Sequence, residues 1–274
     1  MQSWLKFSRR YTAVFALTAG TAVAACAPAI TTQQEVQMGA QYASEINRQL
    51  PIVQNPQVHQ YINQLGNTIA RQADPRGIQY TFYVVNAPQV NAFAIPGGHI
   101  YVNRGLIDRA SNLSELAGVL GHEIGHVVHR HGIEQMQRAQ NAELGVNLAY
   151  ILLGRQPSGV EQVGLQLGAG AFFARHSREA ELEADRVAIE YMIASGIHPR
   201  GLVTMFETLI AERNRTPGTV EQWFSTHPLT EDRIAQLSGM LNEIPASRLN
   251  NLASDSRAYQ EFRQRVRQLP AAPQ

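Results

Sequence analysis

The sequence predicts an α+β domain, mainly helical, in which a small β-sheet lies beside one helix that carries a metal-binding pattern. Three observations predict it. Apolar residues recur at helical spacing behind Thr and Asn caps over much of the chain. β-branched and aromatic residues cluster between 80 and 103, with the turn Pro96-Gly97-Gly98 among them. Residues 121–131, Gly-His-Glu-Ile-Gly-His-Val-Val-His-Arg-His, then supply His122-Glu123-x-x-His126.

A chain of 274 residues can bury a substantial core, in one large domain or two small ones. We read 26–274 as one domain. Composition shows no collagen-like, coiled-coil or disordered bias. With 23 basic against 22 acidic residues, nothing points to nucleic acid as a partner.

At the N-terminus, Lys6, Arg9 and Arg10 precede the apolar run from Tyr11 to Ala25, the layout of a secretory signal over residues 1–25. It ends in Val23-Ala24-Ala25-Cys26, and Cys26 is the single cysteine. Small residues before a Cys resemble a bacterial lipobox, so lipidation at Cys26 and a membrane anchor are expected; an ordinary cleavage site after Ala22-Val23-Ala24 is the alternative. Ala27, rather than Asp, after the Cys resembles outer-membrane retention, which places the chain in the periplasm.

Two helices should follow. Thr32-x-x-Glu35 offers a capping box, with Val36, Ala40, Ala43, Ile46 and Leu50 along one face. Asn55 caps the second, Pro56 fits its first turn, and Val58, Tyr61, Ile62, Leu65 and Ile69 form its stripe. His59, beside that stripe, reads as a surface or packing histidine. Strands are expected at 80–85, 90–95 and 100–103, with His99 structural. A free strand edge before a metal-site helix could hold an extended peptide by adding it as a further strand; a plain structural hairpin is the alternative.

The next helix is expected over 113–131, capped by Asn112 and stopped by Gly132. Positions four apart share a helical face, so His122 and His126 can offer ring nitrogens to one ion. Glu123, turned by about 100°, can reach a water there without being a ligand. Gly118, Gly121 and Gly125 would each cost about 1 kcal/mol relative to Ala. They lie on one stripe, which predicts close approach of another backbone, a strand. His129 is too far along to share the ion. The metzincin pattern needs Gly at 129 and His at 132, and the chain has His129 and Gly132. His129 and His131 are read as structural or surface residues.

A third ligand is sought in Ser177-Arg178-Glu179-Ala180-Glu181-Leu182-Glu183-Ala184-Asp185. Glu181 and Asp185 share a face; one can bind metal while the other orients a ligand histidine. Alone, such an acidic run reads as a solvated helix face, but Ala184, Val187, Ala188 and Tyr191 mark part of that helix as buried.

HExxH followed about 50 residues later by Ser-Arg-x-x-Glu-x-Glu-Ala-Asp resembles the HtpX/BepA-like zinc endopeptidases, the gluzincin family that also contains prenyl-protein-processing proteases. Thr226-His227-Pro228 with Arg233, and Asn91-Ala92-Phe93-Ala94 before Pro96-Gly97-Gly98, are two further matching blocks. The resemblance implies a zincin-like fold and one zinc ion held by His122, His126 and Glu181, with Glu123 as catalytic base and Asp185 behind the ligands. It also implies that His227 faces the metal, donating to an oxyanion or filling the open position, and that Arg233 holds its loop, with Asp185 as candidate partner. Asn91, Ala92, Phe93 and Ala94 become the substrate-side strand.

Membrane-embedded relatives carry hydrophobic spans, yet no stretch here reaches the roughly 20 apolar residues of a crossing. Residues 142–153 and 160–174 read as two lid helices over the cleft, with interfacial membrane contact as the alternative, and 243–274 as a C-terminal helical extension. The expected function is a zinc metalloendopeptidase acting on proteins or peptides. Misfolded or stalled outer-membrane proteins are the substrates that the resemblance implies. Against it stand a chaperone-like or latent lipoprotein with a structural or autoinhibited site, and an envelope hydrolase of non-peptide substrates.

Overall fold

The computed structural model describes residues 30–139, 175–216 and 218–271. The leader 1–25, Cys26 and the expected lid 142–174 lie outside the described residues.

Helix α1 (Thr32–Gln49) begins one residue earlier than expected, because Thr31 rather than Thr32 forms the capping box, with Gln34. The buried face also differs from the predicted stripe. Glu35, Gly39 and Ala43 turn inward while Val36 is 38% exposed. Helix α2 (Pro56–Ala73) is capped by the Asn55 carboxamide and buries Val58, Ile62, Leu65 and Ile69, as its stripe predicts. His59 is exposed.

Strands β1 (Thr81–Val85), β2 (Ala92–Ile95) and β3 (His99–Asn103) form one sheet in the order β1-β3-β2. β1 runs parallel to β3 and β2 antiparallel to it. Gly97 and Gly98, at φ 82° and 86°, make the tight connection between β2 and β3 in the left-handed region where a Cβ would be strained. Phe93, Tyr101 and Tyr83 sit opposite one another across the sheet and stack at 4.8 and 4.7 Å. The outer edge of β1 is bridged by Ile52 and Val53, which leaves β2 as the open edge among the described residues.

Helix α3 (Arg104–Arg109) leads into α4 (Leu113–Val128), capped by Asn112 and buried along nearly its whole length. α4 is shorter than the predicted 113–131. Arg130 adopts φ 59°, breaking the helix two residues before Gly132, and residues 131–139 start a new helical segment. The left-handed turn is held by the Arg130 guanidinium, which donates to Glu35 (2.8 Å) and to the Ile30 carbonyl (2.6 Å).

Helices α5 (Arg178–Ala194) and α6 (Arg200–Arg215) pack on α4, followed by α7 (Glu221–Thr226), α8 (Glu231–Glu243) and α9 (Ala246–Leu249). Helix α10 (Arg257–Arg267) returns to α2 and α3, burying Tyr259, Phe262 and Val266, and the Tyr259 hydroxyl donates to the Ala110 carbonyl at 2.7 Å. No helix among the described residues is long and apolar enough to cross a membrane.

The α4 glycines face helices, not the expected strand. A Cβ at Gly118 would lie 2.7 Å from the Leu202 Cα on α6, and one at Gly125 would lie 3.2 Å from the Ala184 Cα on α5. At Gly121 it would meet Ala188 at ordinary van der Waals distance, the methyl at 3.4 Å and the Cα at 3.5 Å. Helix packing demands small residues as readily as strand packing does, and α4 is sandwiched between helices on this side. Gly118→Ala should therefore cost about 1–3 kcal/mol through overpacking. Gly121→Ala should be neutral or gain up to about 1 kcal/mol of helix propensity. Urea denaturation of the two variants checks the contrast, and equal losses would contradict it.

Candidate metal centre

Four buried donors converge between α4, α5 and the turn that follows α7. Ligand atoms of His122, His126, Glu181 and His227 all lie within 4.8 Å of one another. His122 Nε2 is 3.0 Å from His126 Nε2 and 3.3 Å from His227 Nδ1. Glu181 Oε1 is 3.3 Å from His126 Nε2 and 3.1 Å from His227 Nδ1.

The donor chemistry fits a metal ion. His122 Nδ1 sits 2.9 Å from Asp185 Oδ1, so in the neutral ring that nitrogen carries the hydrogen and Nε2 presents a lone pair. Lone pairs facing lone pairs in a dry site repel unless a cation lies between them. Ligand atoms around a tetrahedral ion with bonds of about 2.0–2.1 Å are about 3.3 Å apart, which matches the distances here.

Electrostatics supports the same assignment. Burial alone would raise Glu181, but His227 and Arg233 outweigh it and hold the carboxyl well below the usual range. Burial keeps His126 well below the ordinary imidazole value, in the neutral form a ligand requires. Glu123 shifts the other way, upward, chiefly through burial. Its Oε1 is buried without a hydrogen bond among the described residues; His227 Nε2 is 3.4 Å away. Burial alone would lower His227, yet the Glu181 and Glu123 carboxylates raise it.

Arg233, at the start of α8, ties the centre together. It grips Asp185 with Nε and Nη2 (the latter at 2.7 Å), reaches Glu181 with Nη1, and donates to the Pro228 carbonyl at 3.1 Å. One guanidinium thus holds the carboxylate behind His122, the carboxylate in the cluster, and the turn carrying His227. Trp223 stacks on the His227 ring at 4.4 Å.

A cavity of about 230 Å³ opens onto the cluster, lined by Glu123, His126 and His227 and by Asn91, Phe93, Ala94, Ile95 and Pro96 of the β2 segment. Of the predicted substrate strand, Ala92 does not reach it; its side chain is packed in the core.

Residues 54–241 match peptidase family M48. The chain belongs to that family. It is 33% identical to the beta-barrel assembly-enhancing protease of Yersinia pestis over 222 residues, 78% of this chain and 45% of the relative. With the protein of that name from Escherichia coli K12 it shares 31% over 217 residues, 77% of this chain and 44% of the relative. With metalloprotease YcaL of the same strain it shares 32% over 170 residues, 62% of this chain and 63% of the relative. The chain spans less than half the length of the two assembly-enhancing proteases. Membership in M48 implies a metal ion, and the His-His-Glu-His cluster is where the described residues could hold one.

Two histidines at this M48 site were missed or underread in the sequence. His176 was not singled out; its ring stacks on His126 at 3.9 Å, and burial pushes its pKa down to about 3. Its position one residue before the Ser177 cap of α5 was the available signal. His131 is outside the cluster, as expected, yet its Nδ1 is 2.8 Å from His126 Nδ1, so it touches a ligand. His129 pairs at 3.1 Å with Glu183.

Removing the Arg233 guanidinium leaves two buried carboxylates unpaired. Arg233→Met should therefore destabilise the chelator-treated protein by about 3–5 kcal/mol, with Arg233→Lys in between because it keeps the charge but loses the fork. Glu181 and Asp185 have depressed folded-state pKa values. Their contribution to stability is full above the unfolded values near about 4 and is lost as pH falls through the folded ones. Denaturation at pH 7 and at acid pH checks both statements; an Arg233→Met variant as stable as the parent at pH 7 would refute them.

Proposed function

We propose that this M48 chain is a zinc-dependent metalloendopeptidase of the bacterial cell envelope. One observation carries the reading. An unpartnered, buried Glu123 oxygen lies beside a three-imidazole, one-carboxylate cluster, in a cleft bordered by an open strand edge. His122, His126 and Glu181 are assigned as zinc ligands. Bound there, zinc supplies Lewis acidity that brings the pKa of a water towards about 7 and polarises the scissile carbonyl.

The chain's own residues supply the remainder. A peptide adds to β2 as a further strand, backbone to backbone, which accepts many sequences. Asn91, whose buried Oδ1 has no partner among the described residues, offers an acceptor to the peptide beside Phe93 and Ala94. Glu123 takes the proton of the attacking water and passes it to the leaving amine. Asp185 fixes the His122 tautomer, and Arg233 fixes Asp185.

A closed resting state is favoured by a specific distance. His227 Nδ1 stands 3.1 Å from Glu181 Oε1, among the donors of the cluster, so His227 would be a fourth ligand to a bound ion and would have to give way to substrate. Export and anchoring at Cys26 rest on the lipobox-like segment, and the similarity to beta-barrel assembly-enhancing proteases supports outer-membrane proteins in quality control as substrates.

Glu123→Gln should retain zinc by elemental analysis and lose cleavage of casein or an unfolded β-barrel precursor; equal cleavage by variant and parent would remove the catalytic assignment. Glu181→Ala should lose the zinc itself. His227→Ala should raise basal cleavage by opening the fourth position, whereas a fall of about 10²–10³ in rate would assign it to the oxyanion instead. Labelled palmitate should appear in the mature chain and not in a Cys26→Ala variant.

A further inference from the structure

We propose that His131 and Glu183 form a relay that sets the tautomer and orientation of His126, so that the two HExxH histidines are positioned by unlike devices. The inference rests on the metal-centre reading above and on hydrogen arithmetic.

His126 turns Nε2 to the cluster, 3.3 Å from Glu181 Oε1, and Nδ1 away from it, 2.8 Å from His131 Nδ1. A ligand nitrogen needs its lone pair, so the hydrogen of neutral His126 must sit on Nδ1. Two nitrogens at that separation share one hydrogen. His131 Nδ1 is therefore the acceptor, and its own hydrogen must sit on Nε2. That atom lies 3.1 Å from Glu183 Oε2, a carboxylate that accepts and cannot donate. Each ring nitrogen in the path from Glu183 to the cluster is thereby assigned. The other Glu183 oxygen is 3.1 Å from His129 Nδ1, which braces the far end.

His122 has no such intermediary; Asp185 meets its Nδ1 directly at 2.9 Å. The difference follows from the chain path. The left-handed turn at Arg130 ends α4 and brings His131 back beside His126, buried, one turn beyond the motif. Glu183 is on α5, two residues from Glu181 and two from Asp185, but 42% of its side chain is exposed, so the relay runs from solvent to the buried ligand.

The test reads zinc affinity by chelator competition, beside circular dichroism and thermal unfolding of the zinc-free variants. His131→Ala removes the acceptor and should weaken zinc by about 10–100-fold. His131→Asn places a carboxamide oxygen near the lost Nδ1 and should return affinity to within about threefold of the parent, a rescue that a packing role would not give. Glu183→Ala, at a half-exposed position, should weaken zinc while leaving zinc-free unfolding unchanged, and carries the test if His131→Ala does not fold. Parental affinity in His131→Ala or in Glu183→Ala, or equal losses in the Ala and Asn variants at 131, would overturn the relay. Failure of the parent chain to bind zinc would remove the metal-centre reading instead.

Discussion

The buried guanidinium of Arg233 is the contact on which the rest of the centre depends. A metal site assembled from three separate segments needs something that holds them before the ion arrives, because imidazoles and carboxylates do not attract one another in a fixed geometry. Arg233 meets that need by touching Asp185, Glu181 and the Pro228 carbonyl together. Its planar fork suits two carboxylates at once, which an ammonium could not match. Burial at 4% exposure makes the arrangement costly to leave incomplete, so α5, α8 and the His227 turn are fixed relative to one another.

The second constraint is backbone proximity. α4 can bring His122 and His126 to Glu181 and His227 only if it lies almost in contact with α5 and α6. Glycines at 118 and 125 permit this, with Gly201 of α6 doing the same against Ser114, where a Cβ would come within 2.2 Å of the backbone. The glycines weaken α4 as an isolated helix, and burial of Leu116, Val119, Leu120 and Ile124 offsets that loss.

Much of this was legible in the sequence, and the limits follow from which signals are local. Asn55 and Asn112 announce their helices because capping is a short-range effect, and the HExxH spacing specifies a shared face through helical periodicity alone. Glu181 and Asp185 were legible as a pair for the same reason, and the family resemblance, not the spacing, assigned one to the ion and the other behind it. Adjacent Thr31 and Thr32 gave no local means of choosing the cap, and the inward turn of Glu35 in place of Val36 depends on arginines distant in the chain. Glu35 is a buried carboxylate between Arg76 and Arg130. His131 was underread because continuing α4 through 131 removes the turn at Arg130, a left-handed residue with no glycine to signal it. The glycine stripe correctly announced a close neighbour, but absence of a side chain cannot say whether that neighbour is a strand or a helix.

Charge balance at the centre agrees with a bound cation. At the centre Glu123, Glu181 and Asp185 are buried carboxylates, and Arg233 is the one guanidinium among them. Three ionised carboxylates against one guanidinium would leave negative charge in excess, and His227, raised by Glu181 and Glu123, is a group that can offset part of it. Burial of that excess without a partner would cost several kcal/mol per charge. A bound cation would offset it, and imidazole-rich donors suit the zinc proposed above better than magnesium or calcium, which prefer oxygen. Glu123 is shifted upward chiefly by burial, and of the three it is the carboxylate that Arg233 does not touch.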